Sequence, residues 1–219
     1  MHHGIDEEIY RPDVPWQGLL RRYPELKNKK VVFHPARMGL AKGCDVSIKA
    51  LRIIRQAVPD VLLVLAGTKN IIDWGATQEK DIAYIVSLVD FFRLRDNVLI
   101  DVFSLQDMPR LYTASRVCLY PSTVSEPFGL TMLEALSSAR PMIVTESGGM
   151  PEIIQNDVNG FVIPIKNFEV LAERVIEVLT NTGLCQRLGD TGRRMVEDRY
   201  TKQMMADNTL EIYSKIKSR

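Results

Sequence analysis

Arg37 and Lys42 stand five residues apart around a glycine in the stretch His34-Pro35-Ala36-Arg37-Met38-Gly39-Leu40-Ala41-Lys42-Gly43. An arginine fork, a lysine point charge and the free amides of a helix start are what a diphosphate requires. Two solvated loop cations would have the same spacing. The Gly-x4-Gly-Lys-Ser/Thr loop of nucleoside triphosphatases and the Gly-x-Gly-x2-Gly dinucleotide fingerprint are both absent.

A second stretch, residues 121–135, carries Glu126 and Glu134 around Pro127-Phe128-Gly129-Leu130. Pro127 at a first helical position predicts a helix from there to about residue 139, since proline loses no needed hydrogen bond at that place. Glu126 then precedes the helix and Glu134 lies about two turns inside it, roughly 12 Å along the axis. That separation spans a pyrophosphate with a sugar at either end. The amides of Phe128, Gly129 and Leu130 would face the phosphates between the two carboxylates. Leu130, Leu133 and Leu136 make the helix mostly buried, so Glu134 needs a partner. The plainer readings are a favourable acid at a helix start for Glu126 and a surface or salt-bridged glutamate for Glu134.

These residues must be held by regular elements. Apolar runs at residues 30–34, 61–66, 97–102, 117–120, 141–145 and 161–163 read as six strands. Between them lie helical stretches: one to about residue 58 with Ile48, Leu51, Ile54 and Val58 on one stripe, one over about 77–92, and a short one over 108–115. From Asn167 the chain reads as helical in three pieces, and the last carries a stripe of Met205, Thr209, Ile212 and Ile216. Short apolar strands alternating with helices predict an α/β fold, a Rossmann-like parallel six-stranded sheet covered on both faces. Ligands of such sheets sit beyond the carboxyl ends of the strands, in the loops that start at Pro35, Gly67, Phe103, Pro121 and Glu146. Residues 1–29, with Arg11-Pro12-Asp13-Val14-Pro15 and Tyr23-Pro24, fall outside the pattern and read as an arm leading in from elsewhere.

Composition narrows the partners. Lys and Arg total 28 against 27 Asp and Glu, a net charge of +1, which lacks the basic field of nucleic-acid or anionic-membrane binding. Cys44, Cys118 and Cys185 have neither metal-ligand nor disulfide spacing and read as reduced structural thiols. With a polar start and no apolar run of roughly 18 residues, the expectation is a cytoplasmic protein.

Taken together, Arg37-x4-Lys42-Gly43, Pro121-Ser122, Glu126-Pro-Phe-Gly-x4-Glu134-Ala135, Gly148-Gly149-x-Pro151-Glu152 and Asn159-Gly160-Phe161 resemble the donor-binding, C-terminal half of the retaining glycosyltransferases of family four, which have the two-domain GT-B fold. The likeness runs from about residue 30 to 200. It implies a nucleoside-diphosphate sugar as donor substrate and no further cofactor or tightly bound metal; no Asp-x-Asp triplet is present. The implied catalytic set is Glu126 on the hydroxyls of the transferred sugar with Arg37 and Lys42 on the diphosphate. The implied donor-binding set is Phe128, Gly129 and Leu130 through their amides, Glu134 on the ribose hydroxyls, and Phe103 and Ser104 near the base. Two positions depart from the family, which commonly has glycine at Ala139 and often at Asp101.

The resemblance further implies an acceptor-binding N-terminal domain outside this chain, so that Met1 is an internal boundary of a longer protein and the isolated half is inactive for transfer. Residues 1–29 would be the interdomain linker and residues 201–219 a helix crossing back to that domain; any peripheral membrane association would come through the missing half. His34, at a strand end, is a packed histidine and not the family's catalytic one. A sugar-nucleotide epimerase half and a non-catalytic binding or assembly module are the competing readings.

Overall fold

The computed structural model describes residues 3–66 and 75–217. The loop expected to start at Gly67 lies outside them. Six parallel strands form one sheet in the order β3-β2-β1-β4-β5-β6. They are β1 (Lys30–His34), β2 (Val61–Ala66), β3 (Val98–Asp101), β4 (Ser115–Tyr120), β5 (Met142–Thr145) and β6 (Gly160–Ile163). The helices are α1 (Cys44–Ala57), α2 (Gly75–Phe91), α3 (Met108–Ala114), α4 (Leu130–Ser137), α5 (Met150–Ile153), α6 (Phe168–Thr180), α7 (Thr182–Arg199) and α8 (Lys202–Lys217).

Side chains of a strand alternate between faces, and here both faces are covered. Val32, Leu63, Leu65, Val117, Leu119 and Ile143 pack with Ile48, Leu51 and Ile54 of α1 and Leu171, Val175 and Val178 of α6. The intervening Val31, Phe33, Val64, Cys118 and Val144 pack on the other face with Leu111 and Tyr112 of α3 and Met132, Leu133 and Leu136 of α4. All six residues of β2 are buried for this reason, whereas the edge strand β3 is only half-buried along its length. Asn167 and Asn181 cap α6 and α7, each accepting a backbone N–H at 2.9 Å, which breaks the C-terminal region into separate helices.

The segment before β1 is part of this body. Leu19, Tyr23 and Leu26 are buried in the second core, and Ile5 bridges to Thr201 between α7 and α8. All three cysteines are buried and unpaired; burial pushes Cys44 and Cys118 up to about 12 and Cys185 up as well, which leaves them as unreactive packing thiols.

The start of α4 differs from expectation, and the short α5 has no counterpart in it. α4 begins at Leu130 and not at Pro127, because the chain first turns through Gly129 at φ +78°, a left-handed conformation that only glycine adopts without strain. Glu134 therefore lies one turn into the helix, and the residues from Glu126 to Gly129 do not contribute helical rise.

Candidate functional site

The sheet winds outward in two directions from the neighbouring strands β1 and β4, so their carboxyl ends flank a switch point where the following loops diverge. Those loops are stitched together by main-chain and hydroxyl contacts. Thr123 N–H donates to Ala41 O at 2.9 Å, and its hydroxyl donates to Leu40 O at 3.1 Å. Thr145 Oγ1 donates to Ser122 O and Ser147 Oγ to Val124 O, both at 2.7 Å, which adds the loop after β5. Two glycines permit this closeness. A Cβ on Gly43, at φ +74°, would stand 1.9 Å from Pro121 O, and one on Gly148, at φ +57°, would stand 2.1 Å from Glu126 O. The carbonyl of Glu126 in turn accepts from Gly149 N–H at 2.9 Å.

Within this rim Lys42 Nζ forms an ion pair with Glu126 Oε1. The pair is mostly enclosed, with side chains 22% and 9% exposed. Ser122 Oγ lies 3.2 Å from the same carboxylate oxygen, and the Tyr120 hydroxyl donates to Glu126 as well. Lys42 also stands 5.6 Å from the centre of the Tyr120 ring. Burial first, then the Glu126 charge, pushes the Tyr120 hydroxyl well above the ordinary range, and Arg37 partly opposes the shift. Arg37 is exposed on the loop between β1 and α1, so the first two predicted cations and the first predicted acid share one region.

Glu134 is held separately, on the flank of α4. The wholly buried Tyr112 donates from its hydroxyl to Glu134 Oε2 at 2.6 Å, and Tyr10 of the arm donates to the same carboxylate. Burial raises the Glu134 carboxyl and the two tyrosine hydrogen bonds oppose that rise. Met132, Leu133, Ala135 and Leu136 around it are buried, as expected of a mostly apolar helix; Leu130 is exposed at the rim instead.

Gly129 and Leu130 lie at the start of α4, and the Phe128 ring makes an edge contact with His3 of the arm at 4.9 Å. Phe103 and Ser104 follow β3. The Phe103 ring stands 5.0 Å from the Tyr23 ring, and Ser104 Oγ donates to Asp107 Oδ2 at 2.8 Å. Asp101, where the family often has glycine, accepts from the Tyr23 hydroxyl at 2.9 Å and faces Arg22 at 3.9 Å. Burial and this hydrogen bond push Tyr23 up to about 12. His34 is fully buried with Nδ1 2.9 Å from Ser47 Oγ, and burial drives it down to about 3, which fits a packed histidine.

Sequence spacing missed Tyr120, Tyr112 and Tyr10, and gave Ser122 of the Pro121-Ser122 motif no role of its own. Only Tyr120 and Ser122 carried a signal, since they flank Pro121 at the end of a strand bordering the switch point.

The family model for glycosyl transferases group 1 matches residues 19–195. Spore coat protein SA of Bacillus subtilis (strain 168) is 31% identical over 98% of this chain and 58% of its own length. The chain thus spans little more than half of that curated relative. A glycosyltransferase from Rickettsia africae ESF-5, 23% identical, superimposes with a TM-score of 0.89 over 98% of this chain and 56% of the other. Anabaena Alr3699/HepE, solved in complex with UDP and glucose, is 22% identical and superimposes with a TM-score of 0.87 over the same shares. The parallel sheet is thus the Rossmann-like unit of GT-B enzymes, and the chain belongs to the glycosyl transferases group 1 family.

Proposed function

We propose that this chain binds the nucleoside-diphosphate sugar donor of a retaining glycosyl transfer, with the acceptor bound by a domain outside it. The observation that carries the reading is the gathering of Arg37, Lys42 and Glu126 at the switch point, beside the start of α4. Arg37 and Lys42 would meet the diphosphate, and the Gly129 and Leu130 amides, with that of Phe128, would add donors aimed at the same charge. As the bond from the anomeric carbon to the diphosphate breaks, negative charge builds on the leaving phosphate. Fixed cations and amides stabilise that charge more than they stabilise the bound donor, and that difference accelerates the transfer. In this reading they take the place of a resident metal ion.

Glu126 would accept hydrogen bonds from hydroxyls of a hexose-type sugar and Glu134 from those of the ribose, with the base near Phe103 and Ser104. HepE is solved with UDP and glucose, so UDP-glucose is the first donor to try. No helix among the described residues is long and apolar enough to cross a membrane; a cytoplasmic enzyme, touching membranes only through its other domain, is the corresponding reading.

Calorimetric titration of the chain with UDP-, ADP- and GDP-sugars tests this. One of the three should bind weakly and saturably, and no acceptor should support turnover, because half of the cleft is open to water. Absence of saturation with all three would overturn the donor-site reading. Robust transfer by the chain alone would overturn the placement of the acceptor site.

A further inference from the structure

We infer that Tyr112 and Tyr10 are positioning residues for Glu134, so that the N-terminal arm forms part of the nucleoside end of the donor site. This rests on the donor-site reading above. The observations that carry it lie in α3, α4 and the arm.

Glu134 sits in a helix of eight residues whose other side chains are mostly buried. A carboxylate in such a place stays ionised only if hydrogen bonds replace the water it has lost. Two phenols supply them, Tyr112 at 2.6 Å and Tyr10 beside it, with the two rings packed edge to face at 5.7 Å. A carboxylate offers about four acceptor positions. The phenols occupy some from the protein side and leave the others for donors that approach from outside. An ionised carboxylate is acceptor-only, and a vicinal diol presents two donors a short distance apart, which is the complementary pattern.

Neither phenol is free to wander. The Tyr112 ring is fully buried and stacks edge-on against Phe33 of β1 at 5.1 Å. Tyr10 is fixed through its main chain: its carbonyl accepts from Ser137 Oγ at 2.5 Å and from Arg193 Nη1 at 3.0 Å. The same Arg193 nitrogen donates to Glu7 O at 3.0 Å and Ser137 O at 2.8 Å. Ser137 ends the helix that carries Glu134. The arm is therefore tied to α4 twice, by backbone at the helix end and by side chain at the carboxylate, and a displaced arm would leave Glu134 with one phenol.

A purely structural role for the phenols would lower affinity for every nucleotide alike, whereas positioning acts only on a ligand with a diol. Tyr10→Phe and Tyr112→Phe are compared with the unaltered chain for binding of the preferred nucleoside diphosphate and of its 2′,3′-dideoxy counterpart. The unaltered chain should favour the ribose form. Each substitution should weaken that form by roughly three- to tenfold and leave the dideoxy form unchanged, so that the preference shrinks. The acid limb of the ribose-form binding profile should also move to higher pH, because the lost hydrogen bond was holding the carboxyl down. Equal losses for both ligands, or an unchanged preference, would overturn the inference while leaving the donor site standing. An unaltered chain that binds neither ligand overturns both. Tyr10 lies outside the central core, so its variant remains informative even if Tyr112→Phe does not fold.

Discussion

Lys42 and Glu126, 84 positions apart in the chain, close an ion pair across the two loops that leave β1 and β4. In the donor-site reading this pair competes with the ligand: the ammonium that should meet a phosphate is already held by the carboxylate that should meet the sugar.

Changing either partner should therefore have opposite signatures. Lys42→Ala or Arg37→Ala should weaken free nucleoside diphosphate and nucleotide sugar alike, by about 1.5 to 3 kcal/mol for a charged hydrogen bond. Glu126→Gln should weaken the sugar ester only, and free diphosphate should bind at least as well because Lys42 is released. Calorimetry with both ligands reads the difference, and equal losses for both on changing Glu126 would remove its assignment to the sugar.

His34 gives the fold a pH dependence of definite sign. The unfolded chain takes up a proton as pH falls below the ordinary histidine value of 6.5, whereas the folded chain, with His34 buried, does so only near 3. Stability from this group is thus complete above about pH 7 and is lost as pH falls from about 6.5 towards 3, by about 2 kcal/mol at pH 5. The His34→Gln variant should lose less stability than the unaltered chain between pH 7 and pH 5 in urea titrations. Glu134 and the other carboxyls titrate in both proteins and cancel in the comparison. Parallel curves would show that His34 is not the group responsible.

Ala139 closes α4 in a left-handed conformation at φ +53°, with Arg140 N–H reaching back to Ala135 O at 2.9 Å and Ala139 N–H to Leu136 O at 2.9 Å. This is the Schellman ending that glycine normally provides, which gives the departure noted in the sequence a physical meaning. Ala139→Gly should relieve the Cβ strain and stabilise the chain by roughly 0.5 to 1 kcal/mol, or about 2 °C in Tm. A lower Tm in a thermal melt would mean that the alanine methyl contributes packing worth more than the strain.

The strands were the most legible part of the chain. Residues 61–66 read correctly because a wholly apolar run bounded by Pro59-Asp60 has few alternatives to a strand buried on both faces. The start of α4 did not, because Pro127 and Gly129 both signal a helix boundary and only the left-handed turn at Gly129 decides between them. The Lys42–Glu126 pairing was not readable: the order of strands that brings those loops together is visible only in the fold, and nothing local joins them. Tyr10 and Tyr112 were not readable as partners of Glu134: one lies in an irregular arm and the other in a short helix, and no periodicity relates them.

The last helix has two parts with different attachments. Its start is tied to the arm: Lys202 N–H donates to Ile5 O at 2.9 Å, Lys202 Nζ meets Asp6 Oδ2 at 2.8 Å, and Gly4 N–H points at Met205 Sδ at 3.2 Å. Beyond Thr209 the helix leaves the body, with Leu210, Ile212, Tyr213 and Ile216 46–64% exposed. Apolar residues left open on that scale suit a surface outside this chain, as a helix crossing to another domain would require. Removing residues 210–219 should change Tm by less than about 2 °C, because Leu210, Ile212, Tyr213 and Ile216 are already exposed. Removing residues 201–219 should cost more, since it also releases Gly4, Ile5 and Asp6 from their anchors and loosens the arm that carries Tyr10. The longer deletion should then weaken nucleoside-diphosphate binding while the shorter one leaves it intact. A large fall in Tm from the shorter deletion alone would place the exposed stripe in this domain's own core and end the crossing-helix reading.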